Sequence, residues 1–535
     1  MKRYLRQYKF RNMLVITLTV IMSFLQISTN LINAFALDEL IKLHMGNFLK
    51  WYVLFGIIWL VYLAIMRITD VQQQIVIQKM STAIRHDISV NISHLSYLDF
   101  HKNPTNVYSS EYTNDLNMIE QAGFTNFFAS IESISSVIFS IFALLTIHYS
   151  LIVTVIIMSM ILLSVPSFFS GKLQEANIAV TKANGKFLGQ VTDVLDGFNV
   201  LFSSGLNKLI VSKIEAQSHK LEEVKVDSIR KQTNIEVIIT FFNVLAQFMI
   251  IVQTGILACL KLIPVGALGG TGGLAGAVFN GLGQLGNNIM QIKSVQPIFE
   301  KFHLNNYKAE VPTPIDGLHR GIKLTNITYS IGQHNVFKNL NVEFESGKKY
   351  ALVGPSGSGK STLLNIINSR IDSYDGEVTY DGINYNKLNA DNIRDNMVYI
   401  DQNPYIFNET LRDNITLGLN YSDEDLQNAI ASSSLQELVY SLPQGLDTIL
   451  GKEGSNLSGG EKQRITLARG LITGKKIILM DESTSALDKD TALDIENTLV
   501  THPKITLIMI THHLHKSIAS KLDNIIDLTK VNNID

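Results

Sequence analysis

The stretch "YALVGPSGSGKSTLLNII", residues 350–367, sets an apolar run, Tyr350 to Val353, ahead of a glycine-rich loop that leads straight into a helical pattern. Gly354, Gly359, Lys360 and Ser361 fall at the spacing G-x-x-x-x-G-K-[ST] of a phosphate-binding loop. Glycines let backbone N–H groups close around a phosphate. Lys360 reaches the β and γ oxygens, Ser361 ligates Mg2+, and the helix N-terminus adds its dipole. The candidate nucleotide cradle is therefore Gly354, Pro355, Ser356, Gly357, Ser358, Gly359, Lys360, Ser361 and Thr362. The bland alternative is a glycine-rich turn, which the strand, loop and helix context disfavours.

Two further stretches work outward from this loop. "KKIILMDEST", 475–484, reads as an apolar strand ending in two carboxylates, with Asp481 placed to hold the Mg2+ shell and Glu482 to polarise or deprotonate an attacking water. In "LSGGEKQRITLARGLI", 457–472, Ser458 is a helix cap, and Gly459 and Gly460 expose backbone donors at the start of an amphipathic helix. That is an anion site in its own right, although a bare Ser-Gly-Gly is more often simply a loop entering a helix.

Composition divides the 535 residues. Only 17% are charged, and the apolar excess behind the mean hydropathy of +0.17 lies before about residue 296. A net charge of −2 implies no wholesale basic surface, so no nucleic-acid partner is expected. The single cysteine, Cys259, excludes an internal disulfide and any multi-cysteine metal site.

A bilayer core of about 30 Å needs roughly 20 mostly apolar residues to cross it as a helix. Six stretches qualify: 13–36, 51–69, 129–148, 150–170, 234–260 and 262–288. The first is too long for a signal h-region and lacks a small-residue cleavage site, so it is read as a retained span. Lys2, Arg3, Arg6, Lys9 and Arg11 place the N-terminus in the cytoplasm. The polar segments 70–128 and 171–233 are then cytoplasmic and helical, and "IHYS", 147–150, is outside. The sixth span carries nine glycines between 266 and 286, read either as close helix packing through small residues or as a helix able to bend beside a substrate path. The expected division is a six-helix membrane domain at 1–296, a polar, proline-containing linker at 297–321, and an α/β domain at 322–535.

The "LSGGEKQR" segment resembles the signature motif of ATP-binding cassette (ABC) transporters. The likeness extends to the order of the whole domain: phosphate loop, "YIDQNPYIF" with Gln402 as the Q-loop glutamine, signature, Asp481 and Glu482, "SALD" at 485–488, and "IMITHHL" with His512 as the switch histidine. The resemblance implies that two such domains meet head to tail, so that Ser458, Gly459 and Gly460 bind the γ-phosphate of an ATP held by a partner chain. It also assigns Glu482, His512 and Gln402 to catalysis and Ser361, Gln402 and Asp481 to Mg2+. More loosely, the first half resembles an ABC exporter half-transporter with long intracellular helices. "PTNVYSSEYTNDLNMIE" is similar to the family's first intracellular loop, although Asn106 stands at a usual glycine, and "VTDVLDGFNVLFSSG" resembles the coupling region of the second. Lys452 and Glu453 stand where exporters more often have Glu then Arg. Family members stack adenine on an aromatic residue of an early strand; "LTNITYSI" puts Ile331 there, with Tyr329 as the substitute on the same strand face or else a core aromatic.

The leading expectation is ATP-driven export across the cytoplasmic membrane by alternating access of a dimer, either a homodimer or a pair with a homologous half-transporter. A soluble ABC ATPase acting on nucleic acid or ribosomes is disfavoured by the spans, and an ATP-gated regulator by the complete set of turnover residues. Polar groups in the spans are mostly neutral: Gln26, Asn30, Asn33, Asn243, Gln247, Gln253, Asn280 and Gln284, with Glu236. A largely uncharged path suits a peptide, a lipid or an amphipathic drug better than a small anion, and a peptide is favoured. No peptidase domain precedes the first span, so leader processing is not expected of this chain.

Overall fold

Hydropathy falls after residue 69, but helix-forming residues continue, and the helix does not break there. The computed structural model describes residues 1–302, 317–332, 334–402, 404–484, 487–511 and 514–531. In it the expected span 51–69 is part of one helix, Met45–Ser93, and 234–260 part of another, Lys208–Cys259. At 1.5 Å per residue a helix of 49 residues is about 70 Å long, more than twice a bilayer core, so these helices project well beyond it.

Two compact units result: Met1–His94 with Pro104–Asn306, and Leu95–Asn103 with Tyr307–Asp535. In the first, four helices among the described residues are long and apolar enough to cross a membrane: Lys9–Ile41, Met45–Ser93, Thr105–Ile147 and Lys208–Cys259. The fourth expected span falls in the helix Tyr149–Asp196, which is apolar over Tyr149–Leu162. Between the third and fourth, His148 is extended (φ −165°), and its ring accepts the Ser150 N–H to start the next helix. The sixth differs from expectation at its start. Lys261 takes φ +59°, a turn over Val265–Ala267 follows Pro264, and the helix begins only at Leu268 and runs to Ser294.

That helix is unbroken, and its glycines are largely explained by contact. A Cβ on Gly270 would collide with the Asn30 carbonyl oxygen and one on Gly273 with the Asn30 side chain, and one on Gly281 would lie 2.8 Å from Val137. Gly283 and Gly286 have nothing within 4 Å. Close packing thus accounts for the outer part of the helix. The T-N-D stretch, Thr113–Asp115, lies in a π-helical turn, Glu111–Asp115, whose acidic side chains converge on Lys301 (2.6 Å from Asp115, 3.5 Å from Glu111).

In the second unit β1 (Gly321–Ile331), β2 (His334–Glu345), β4 (Asp375–Tyr380) and β5 (Ile383–Asn384) form an antiparallel sheet in the order β2-β1-β4-β5. β3 (Lys349–Val353), β6 (Met397–Ile400), β7 (Ile477–Asp481), β8 (Thr506–Ile510) and β9 (Asn524–Asp527) form a parallel sheet in the order β6-β7-β8-β3-β9. Every residue of β7 and β8 is buried, as expected of parallel strands covered on both faces. A separate core of Leu411, Ile415, Leu426, Leu435 and Ile465 holds together the helices Leu411–Thr416, Asp423–Ser432, Gln436–Ser441 and Gly459–Leu471. Parallel sheets bind ligands beyond the carboxyl ends of their strands. Here those ends carry the phosphate loop (β3), Gln402 (β6), Asp481 (β7) and Thr511 (β8).

Candidate nucleotide-hydrolysis site

The loop Gly354 to Gly359 leaves buried β3 and enters the helix Lys360–Ile367. Gly359 caps that helix in the left-handed region, φ +90° and ψ 10°, and its α-hydrogens face the Phe337 ring. Gly354, at φ +147°, approaches Ser358. The Lys360 ammonium folds back over the loop and donates to the carbonyls of Gly354 and Pro355, both at 2.9 Å. Ser358 Oγ is buried with no hydrogen-bond partner. An orphaned hydroxyl beside a lysine ammonium and a helix N-terminus fits a phosphate.

Ser361 and Thr362 lie in the first turn of the helix. Ser361 Oγ donates to Asp481 Oδ1 at 3.1 Å, which brings together two of the three residues expected at Mg2+. Their oxygens, with an amide oxygen from Gln402 and phosphate oxygens, make a hard donor set that suits Mg2+. Among the described residues no cluster of three or more His, Cys, Asp or Glu could hold a metal by itself. Burial pushes the Asp481 carboxyl above its ordinary range, and its hydrogen bonds from Ser361 and Tyr399 oppose that shift. A divalent cation beside it would hold it ionised. Glu482 takes φ +50°, outside the strand geometry of β7, and accepts Gln402 Nε2 at 2.8 Å. His512 lies outside the described residues, as do Ser485 and Ala486 of the "SALD" stretch.

Ser458 caps the helix Gly459–Leu471 in a capping box: its hydroxyl accepts the Glu461 N–H, and the Glu461 carboxylate accepts the Ser458 N–H at 2.7 Å. The amides of Gly459 and Gly460, in the first turn, have no intrahelical acceptor. Among the described residues no hydrogen bond joins Ser458 to the phosphate loop; its bonds stay within its own turn. Tyr329 is half-buried against the core and pairs across the strands with Phe337, while Ile331 is 60% exposed.

Three residues that motif spacing did not single out adjoin the site. The Tyr399 hydroxyl donates to Asp481 Oδ2 at 3.1 Å. Arg370 pairs with Asp401 and lies over the Tyr399 ring, 3.9 Å from its centroid.

A phosphate loop joined through Ser361 to the carboxylate ending a nearby parallel strand defines a P-loop ATPase, here in a chain with membrane-length helices. Comparison with known proteins makes this narrower. Residues 337–485 match the ABC transporter family and residues 13–259 the ABC transporter transmembrane region. The chain belongs to the ABC transporters, with membrane region and ATPase in one polypeptide, and it couples ATP hydrolysis to transport. It is 26% identical over 457 residues, 81% of its own length and 77% of the other, to the uncharacterized ABC transporter ATP-binding protein YwjA of Bacillus subtilis (strain 168). It is 33% identical to the ATP-dependent lipid A-core flippase of Francisella tularensis subsp. holarctica (strain OSU18), over 42% of this chain and 38% of that protein. Its fold matches that of a bacterial Atm1-family ABC exporter with ATP bound at a TM-score of 0.80, with 20% identity over 98% of this chain and 93% of that one. The fold is that of an ATP-driven ABC exporter.

Proposed function

We propose that two copies of this chain, or one copy and a homologous half-transporter, export a peptide or similar amphipathic cargo across the cytoplasmic membrane. Lys360 and the loop amides hold the β and γ phosphates, while Ser361, Asp481 and Gln402 hold Mg2+. Glu482, oriented by Gln402, takes the proton of the attacking water, and His512 stabilises the γ-phosphate under attack. Mg2+ would neutralise charge developing on the phosphate oxygens. The partner's signature turn, equivalent to Ser458, Gly459 and Gly460, completes each site. ATP binding closes the pair and hydrolysis reopens it.

The dimer reading is supported by the turn between the helices Tyr149–Asp196 and Lys208–Cys259. There Phe198, Val200, Phe202 and Leu206 are all exposed on the short helix Phe198–Ser203 and beside it. Apolar side chains clustered on a cytoplasmic tip call for a protein cover. The cargo reading rests on a carboxamide ladder: Gln247 donates to Asn243 at 2.6 Å and Asn243 to Asn280 at 2.7 Å, with Gln247 and Asn243 half-buried and Asn280 exposed. Uncharged amides exposed within membrane helices disfavour lipid contact and offer both donors and acceptors, as a peptide backbone requires. The flippase relative favours a second reading, a lipid or multidrug exporter, which the same ladder serves through headgroup hydrogen bonds.

The observation that carries the ATPase half is the Gln402 to Glu482 hydrogen bond. Glu482→Gln in lipid nanodiscs should bind ATP normally and lose turnover by at least about a hundredfold, the usual scale for a general base. Unchanged hydrolysis would remove Glu482 from the mechanism. The wild-type rate against peptides, lipids and hydrophobic drugs then identifies the cargo class by stimulation. Stimulation by lipids alone would replace the peptide reading with the flippase one.

A further inference from the structure

Arg370 lies three residues beyond the phosphate-loop helix, and its guanidinium joins groups that are far apart in the chain. Its two terminal nitrogens bond both oxygens of Asp401, Nη1 to Oδ1 at 2.9 Å and Nη2 to Oδ2 at 3.1 Å. It lies 3.9 Å from the centroid of the Tyr399 ring and 5.0 Å from that of Tyr97. Tyr399 in turn donates to Asp481, and Asp401 directly precedes Gln402, which donates to Glu482. Tyr97 opens the short helix Tyr97–His101. That helix lies in the segment Leu95–Asn103, which belongs to the ATPase unit, and Leu98 packs on the core of that unit. The segment follows directly after the long helix Met45–Ser93.

We infer that Arg370 is a positioning residue that sets Asp481, through Tyr399, and Gln402, through Asp401, according to whether the Tyr97 ring is seated on it. A planar guanidinium bound at both ends to one carboxylate and stacked on an aromatic ring holds both partners in one geometry, which an ammonium cannot do. The guanidinium side chain is 17% exposed, so withdrawing Tyr97 admits water to it and loosens its hold on both partners. The inference rests on the roles proposed above for Asp481 and Gln402.

The test is ATPase rate against Mg2+ concentration at saturating ATP, on the full chain in nanodiscs without cargo. Tyr399→Phe removes only the bond to Asp481 and should raise the Mg2+ needed for half-maximal rate about threefold with little change in kcat. Arg370→Lys should raise it as well and also lower kcat about tenfold, because Gln402 is released. Tyr97→Ala should raise the Mg2+ requirement about twofold to threefold, and Tyr97→Phe should restore it, since the ring is what matters. Adding Tyr97→Ala to Arg370→Lys should add nothing further. A wild-type Mg2+ requirement in Tyr97→Ala, or an additive double variant, overturns the relay. If Arg370→Lys fails to fold, the Tyr399 and Tyr97 variants still decide. Asp481→Asn separates the two levels: an unchanged Mg2+ requirement there sinks the assigned metal role, whereas the Tyr97 comparison addresses only the relay.

Discussion

Gly359 meets two separate constraints, and each bears on nucleotide binding. Its φ of +90° is one that a side chain tolerates at a cost of about 1–2 kcal/mol, and a Cβ would lie 2.7 Å from the Phe337 ring. Gly359→Ala should therefore weaken ATP binding about tenfold or more while β3 and its sheet stay folded. Isothermal titration with ATP beside a thermal melt checks this; normal affinity would mean that Phe337 yields and the loop is not held by its contact. The residues of this loop were legible because they are consecutive, so their spacing encodes their geometry. The Ser458 cap was legible for the same reason, with Glu461 three residues on. Arg370, Tyr399 and Asp401 were not: their meeting depends on a turn after one helix and on the end of β6, which no local pattern reports.

Among the elements, the glycine-rich helix Leu268–Ser294 gives a paired comparison. Gly270 has the Asn30 carbonyl oxygen where a Cβ would go, and Gly283 has open space. Gly270→Ala must push two membrane helices apart, and it should lower the melting temperature in detergent by several degrees. Gly283→Ala should leave the melt unchanged or raise it slightly, since alanine favours a helix over glycine by about 1 kcal/mol. Equal effects would mean that the close approach of these helices is not what the glycines serve. A linear sequence records that this helix is rich in glycine but not which face each glycine takes. The same reasoning applies in the ATPase unit to Arg469, which donates to the Asn414 carbonyl at 2.7 Å, to Asn414 Oδ1 at 3.2 Å and to the Tyr405 carbonyl at 3.1 Å. It thereby ties the helix Gly459–Leu471 to the segment after the Q-loop. Arg469→Ala removes these three bonds, one to the exposed Tyr405 and one to Asn414 Oδ1, which keeps the Phe407 N–H, and should cost about 1–2 kcal/mol in urea unfolding of that helical core. A loss below about 0.5 kcal/mol, the level of an ordinary surface change, would show the network to be dispensable. Helix boundaries were the least legible feature at this scale. Hydropathy marks where the apolar stretch of Met45–Ser93 ends, whereas the backbone continues as helix through charged residues.

For the whole molecule, the decisive fact is that the capped signature turn and the phosphate loop of one chain share no hydrogen bond among the described residues. Ser458 is satisfied within its own turn, and the first-turn amides of Gly459 and Gly460 have no intrahelical acceptor. The proposed ligand is the γ-phosphate on a partner's loop. Ser458→Ala removes the cap and should cost that helix about 1 kcal/mol without blocking the approach of a phosphate. Ser458→Arg places a long side chain in the proposed contact. It should leave ATP binding at each phosphate loop intact yet prevent the two ATPase domains from closing. Spin labels on the two domains measured with ATP in the Glu482→Gln background would read this directly: a short distance in Ser458→Ala and a long one in Ser458→Arg. Closure in both would mean that the signature turn does not face the partner's nucleotide. Closure in neither would make the cap itself, rather than the phosphate contact, the feature that the dimer requires.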